Sequence, residues 1–264
     1  MVAPNQTSEE MITINQKALG LIRAMRPQFL FAYTVFSIGG LAIGVAQQQI
    51  VLGFELAIFS ILTVLLGAIG VHFRDEAADW ISGYDKEYGG MGVIREGTFK
   101  PQTFRILGSF INIIAIGLGI LHASVYAILY KNLMLFVVGI PMGLVIIFAN
   151  YLTEEIPLGH ELVTGSTYWG TILWVYLGQG WPLTLSAFLF SIFGYIMVLA
   201  IIPYQDIGDY EVDKASGKRT LTAKIGLEAV GGVSILLALI ALLILAAVFL
   251  TWSNPLTFDI TWPF

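Results

Sequence analysis

Seven apolar stretches, each long enough to cross a lipid bilayer, set the terms on which this chain can fold. They run at roughly residues 28–47, 54–73, 104–123, 133–152, 162–180, 183–203 and 227–251. A spanning helix needs about 20 apolar residues. Lipid offers no water to an unpaired backbone group, so segments of this length bond their own backbone as α-helices. The expected class is all-α, a polytopic transmembrane helix bundle. A mean hydropathy of +0.81 agrees, as does a charged share of 12%, about half that of a soluble domain.

The fifth and sixth stretches lie in one uncharged run, Leu162 to Gln205, and Gly178-Gln179-Gly180-Trp181-Pro182 supplies the turn between them. Pro141 falls inside the fourth stretch and is expected to kink it. The segment His122 to Lys131 reads as either a helical extension or a loop. Met1 to Gln16 is polar and lacks the basic, apolar, small-residue order of a cleaved signal, so the first span is expected to be retained. Residues 1–264 are read as a single transmembrane domain, with 1–20 as a polar N-terminal segment. With the N-terminus in the cytoplasm, every Lys and Arg except Lys131 falls on the inner side, the bias that fixes topology in membrane proteins. The expected location is the cell membrane, multi-pass.

Two acidic clusters interrupt the apolar pattern. The first holds Asp75, Glu76, Asp79 and Asp85. The second holds Asp206, Asp209, Glu211 and Asp213 and leads into Gly217-Lys218-Arg219-Thr220-Leu221. Each sits at the inner end of an even-numbered span, four spans apart, as a duplicated unit would place them. Asp75 and Asp79 are four residues apart, as are Asp209 and Asp213, and on a helix that spacing stacks carboxylates on one face. Taken singly, each cluster is an ordinary solvated face. Two matched clusters facing each other form an oxygen-only site, which Mg²⁺ neutralises while keeping positions for water and phosphate. Such a site suits a diphosphate. Arg95 and Lys100 beside the first cluster, and Lys218 and Arg219 beside the second, are placed to clamp it.

At these residues the chain resembles the UbiA superfamily of intramembrane prenyltransferases, nearest its 1,4-dihydroxy-2-naphthoate polyprenyltransferase branch. Asp75, Glu76, Asp79, Gly83 and Asp85 follow that branch's first motif, with Asp75-Glu76 in place of the usual Asn-Asp, and Gly89, Gly90, Gly92 and Ile94 come after it. Asp206, Asp209, Glu211, Asp213, Gly217, Lys218, Thr220 and Leu221 match the second motif. Arg26-Pro27 opens the first span as is usual. Tyr151 precedes Pro157-Leu158-Gly159-His160, where the family often ends that run in Tyr. The match covers roughly residues 20 to 225. Family members usually have nine helices, and after Thr251 only Trp252 to Phe264 remain.

The resemblance implies Mg²⁺-dependent transfer of a polyprenyl group from its diphosphate to an aromatic acceptor of the quinone-precursor kind, as in menaquinone biosynthesis. Asp75, Asp79, Asp206, Asp209 and Asp213 would be metal ligands, with Asp79, Asp209 and Asp213 catalytic. Arg95, Lys100 and Lys218 would bind diphosphate, with Glu76, Asp85 and Tyr151 in support and the active site facing the cytoplasm. Tyr151, Tyr168, Trp169 and Trp174 are candidates for an aromatic lining around an allylic cation, although each is also an ordinary core or interface aromatic. Glu154, Glu155 and Glu161 read as a solvated loop, or else as a third wall over the site.

Two other functions use similar parts. A membrane terpene cyclase of the same superfamily would quench the cation internally. A divalent-cation transporter would want acids in both leaflets, not at one face. The absence of Cys and of a paired-His helix motif excludes thiolate and zincin chemistry. No basic stripe points to nucleic acid. Gly231-Gly232 is expected to serve close helix packing.

Overall fold

The computed structural model describes residues 14–48, 53–88, 92–252 and 256–258. Eleven helices are seen among them: α1 (Ile14–Ala24), α2 (Pro27–Gln48), α3 (Phe54–Ser82), α4 (Tyr84–Tyr88), α5 (Pro101–Tyr130), α6 (Met134–Glu155), α7 (Gly159–Leu177), α8 (Leu185–Gln205), α9 (Tyr210–Ser216), α10 (Leu221–Ile225) and α11 (Leu227–Leu250). A two-residue antiparallel pair, β1 (Leu183–Thr184) with β2 (Thr257–Phe258), ties the C-terminal segment to the start of α8. The seven long helices correspond to the seven apolar stretches. His122 to Tyr130 is helical, the last two turns of α5. α6 continues through Pro141 without a break. The polar N-terminus before residue 14 and Gly89, Gly90 and Met91 lie outside the described residues.

Six of the long helices are apolar enough to cross a membrane: α2, α3, α5, α6, α8 and α11. The chain is an integral membrane protein. The seventh, α7, is rich in Gly, Thr, Tyr and Trp. It packs against α2, α6 and α8, and every residue from Gly170 to Leu177 is buried. Its polar groups therefore meet protein instead of lipid. Tyr33 and Thr167 share a hydrogen bond at 2.7 Å, and Tyr176 donates to the Pro182 carbonyl at 3.0 Å. Small residues and interhelical hydrogen bonds are the usual cement between membrane helices.

α3 and α5 approach closely where they cross. A Cβ at Gly108 would meet the Gly70 carbonyl oxygen at 2.6 Å, and a Cβ at Gly70 would meet the Asn112 side chain at 2.0 Å. Gly231 and Gly232 on α11 face open space. They take no part in such a contact, contrary to the expectation from sequence.

Length positions the chemistry. At 1.5 Å per residue α3 is roughly 44 Å long, more than the roughly 30 Å of hydrocarbon. Its last turns, Asp75 to Ser82, can therefore run beyond the apolar zone while the helix continues. Gly83 then ends it in the left-handed conformation, φ 94°, and α4 follows at once.

Candidate active site

The two acidic clusters meet. Lys218 Nζ lies 3.9 Å from Asp79 Oδ1 and 3.4 Å from the centroid of the Tyr84 ring. The Tyr84 hydroxyl donates to Asp213 Oδ1 at 2.9 Å. Two residues of the second cluster thus touch the first, across more than a hundred positions of sequence. Thr220 Oγ1 donates to Asp213 Oδ2 at 3.3 Å while capping α10. Asp206 faces His160, whose Nδ1 is 3.7 Å from Oδ2.

Arg26 joins from the α1–α2 turn. It stands in the left-handed region, φ 52°, directly before Pro27, and its Nη2 meets Asp75 Oδ2 at 2.9 Å. Burial alone would lower the pKa of this guanidinium. The charges of Asp75, Asp79, Glu76 and Asp85 outweigh that and raise it. Burial raises Asp213 above the ordinary carboxyl value, opposed by the Tyr84 hydrogen bond and the Lys218 charge. Burial raises Asp85 too, opposed mainly by Arg26. Burial and the bond to Asp213 push the Tyr84 hydroxyl up.

In the second cluster the helical spacing holds for Asp209 and Asp213, whose N–H donates to the Asp209 carbonyl at 2.8 Å, but not for Asp206. α8 ends at Gln205, Asp206 caps it, and a turn intervenes before Asp209 caps α9. Asp206 therefore stands apart from the helix that Asp209 opens and Asp213 lies on. Asp213 lies on α9 and is buried, whereas Asp209 is exposed. In the first cluster the spacing holds: Asp75 and Asp79 are on α3, Glu76 beside them is buried, and Asp85 is buried on α4.

The remaining candidates lie farther out. Val93 and Ile94 are buried against Ala24, Phe73, Ala77 and Phe104, which turns Arg95 outward. Lys100 is exposed at the start of α5. Neither forms an ion pair among the described residues, though the charge of Arg95 reaches Asp85. Arg219 donates to the Glu155 carbonyl at 2.9 Å, away from the acids. Tyr151 is 61% exposed on α6 and lies outside the cavity described below.

Glu161 corrects the expectation of a solvated loop. It is 3% exposed, and its Oε1 accepts from the Leu221 backbone N–H. With Leu158 N–H bonded to the Arg219 carbonyl at 3.0 Å, the 156–161 turn docks on the second cluster.

Beside the acids lies an apolar cavity of about 460 Å³ between α3, α5, α6 and α7. His72, one turn before Asp75 and Glu76, lines its acid-bearing end, and Thr63, Gly119 and Trp174 line the other. Tyr33 also lines it and stacks on Tyr168 at 4.4 Å. Ile120, Ile140, Leu144 and Ile147 on its wall are 46 to 59% exposed, so the cavity opens toward lipid between α5 and α6.

The donors suit a hard cation: all are oxygens, and the buried Glu76 Oε1 and Asp206 Oδ2 have no hydrogen-bond partner. Among the described residues no three acids or imidazoles stand close enough to enclose a metal by themselves. A cation here would draw single carboxylates from separate elements and complete its shell with water and phosphate oxygens, the habit of Mg²⁺.

Sequence reasoning missed Tyr84 and Thr220 as site residues and gave Arg26 and His160 no role in the site. Arg26-Pro27 and the run ending in His160 were visible signals. Nothing in the sequence marked the approach of Tyr84 to Asp213.

One solved structure resembles the chain closely in shape. It is a UbiA homolog from Archaeoglobus fulgidus bound to DMAPP and Mg²⁺, with TM-score 0.60, 11% identity, and coverage of 88% of this chain and 85% of that one. The fold is the UbiA fold. No protein-family profile and no curated protein matches the sequence.

Proposed function

We propose that the protein is a Mg²⁺-dependent UbiA-type prenyltransferase, forming one prenyltransferase domain. It would move a polyprenyl group from its diphosphate to an aromatic acceptor within the membrane. The observation that carries this reading is the junction of the two acidic clusters, through Lys218–Asp79 and Tyr84–Asp213, beside an apolar cavity open to lipid. The solved homolog of the same fold, bound to a prenyl diphosphate and Mg²⁺, supports it.

Asp75, Asp79, Asp206, Asp209 and Asp213 would hold Mg²⁺, with Glu76 and Asp85 adding negative charge at the site. Mg²⁺, when bound, supplies charge neutralisation and polarises the diphosphate as a leaving group. Arg26 fixes Asp75. Tyr84 and Thr220 orient Asp213 through opposite oxygens. Lys218, held between Asp79 and the Tyr84 ring, is the cation best placed for a diphosphate oxygen, with Arg95 and Lys100 at the rim. The cavity keeps water from the allylic cation, and the Tyr33 ring at its wall offers a π-face to positive charge.

The acceptor proposed is a dihydroxynaphthoate-like quinone precursor, as in menaquinone biosynthesis, on the strength of the motif matches at Arg26-Pro27, Asp206 to Leu221 and Pro157 to His160. The excess of Lys and Arg at the acid-bearing end supports a cytoplasmic active site.

The test is product analysis of membranes given one labelled prenyl diphosphate and a small panel of aromatic acceptors, with and without EDTA. Prenylated acceptor that disappears with EDTA is the expected result. Cyclised hydrocarbon formed without acceptor would overturn the transferase reading in favour of a terpene cyclase.

A further inference from the structure

Arg74 stands one residue before Asp75, yet its side chain turns away from the acids and reaches α6. Nη1 donates to the Ile146 carbonyl and Nη2 to the Ile147 carbonyl, each at 2.9 Å. Both residues line the cavity that opens between α5 and α6, so Arg74 bridges the acid-bearing end of that opening. Gly108 on α5 makes room for it: a Cβ there would meet Arg74 Cγ at 3.0 Å. Arg105, about one turn earlier on α5, is exposed, and its charge repels that of Arg74.

Neither guanidinium forms an ion pair with a carboxylate among the described residues. Two like charges are thus held together at the membrane boundary. The acceptors Arg74 does have are neutral: two main-chain carbonyls of α6 and, in the amide orientation that satisfies Asn112, that side-chain oxygen at 3.3 Å. A phosphate would be a stronger partner, because hydrogen bonds between two ionised groups are roughly twice as strong as neutral ones and the guanidinium fork matches phosphate oxygens.

We infer that Arg74 and Arg105 form a phosphate-binding site at the mouth of the α5–α6 opening, taking the anionic head of a membrane-borne phosphate ester. The inference stands on this guanidinium pair and not on the reaction proposed above. A prenyl diphosphate arriving from the bilayer and an anionic phospholipid carry the same chemistry, and the test separates them.

Full-length protein in phosphatidylcholine nanodiscs is titrated in EDTA, so that metal-dependent diphosphate binding is silent. Phosphatidylglycerol and farnesyl diphosphate are the two probes. Arg105→Gln carries the test, since Arg105 makes no side-chain hydrogen bond or ion pair among the described residues and its loss leaves the helix contacts in place. Arg74→Gln is the companion variant. Removal of a charged donor is expected to weaken binding about tenfold, and Arg105→Lys, which keeps the charge without the fork, should recover only part of it. A loss confined to phosphatidylglycerol supports the site as a lipid site. A loss confined to farnesyl diphosphate supports it as a docking point for substrate. Unchanged affinity for both probes in Arg105→Gln overturns the inference.

Discussion

Lys218 is held by two unlike forces, the charge of Asp79 and the face of the Tyr84 ring. Tyr84 is held in turn by Asp213. Removing either link loosens the junction between the clusters without removing a proposed metal ligand. Tyr84→Phe keeps the ring under Lys218 and loses the bond to Asp213. It should raise the Mg²⁺ concentration needed for half-maximal turnover by about tenfold, read from Mg²⁺ titrations of activity. A second consequence concerns pH. Asp85 and Asp213 have pKa values raised above the carboxyl norm of 3.8. In the window just above that value the folded protein holds protons that the unfolded chain has lost, so metal-free stability falls as pH rises through it. A bound cation replaces those protons. The gain in melting temperature on exchanging EDTA for Mg²⁺ should therefore be larger at pH 8 than at pH 5, measured by thermal unfolding in detergent. An equal gain at both values would remove these carboxyls from the metal response.

Helices set where those residues stand, and two glycines show how tightly. At the crossing of α3 and α5, Gly108→Val would press a side chain on the Gly70 carbonyl and the Arg74 backbone. Overpacking of this kind costs about 1 to 3 kcal/mol, so this variant should melt earlier. Gly143 on α6 lines the cavity, and a Cβ there meets nothing within 4 Å. Gly143→Phe should fill space without disturbing the fold. It should slow turnover with long prenyl diphosphates more than with the five-carbon one, and an equal effect on both would show that the tail does not lie in this cavity. Most of this architecture was legible in the sequence, because apolar runs of membrane length have few other ways to fold. The position of α7 was not. Its Gly, Thr, Tyr and Trp residues read as a weak span, whereas packing against α2, α6 and α8 makes it the most enclosed helix. The break between Asp206 and Asp209 was hidden too, since four residues of turn between α8 and α9 leave the spacing of acids unchanged.

Across the whole molecule, the acids gather at one end of a bundle whose long helices otherwise present apolar surface, α11 above all, with Leu236, Leu239, Leu243 and Leu250 exposed. That separation is what the sequence conveyed best: which residues carry charge, and at which end. What it left out was contact, because Arg26, Tyr84, His160 and Thr220 come to the acids from four different elements. Convergence of the clusters on a shared metal and diphosphate is the claim that binds residue, element and bundle together. Its most direct measurement is diphosphate release by the purified protein from a labelled prenyl diphosphate in Mg²⁺, comparing the native chain with Asp79→Ala and Asp209→Ala, one from each cluster. Release should require Mg²⁺ and fall by at least about 100-fold in both variants. Full turnover in either variant would contradict the account.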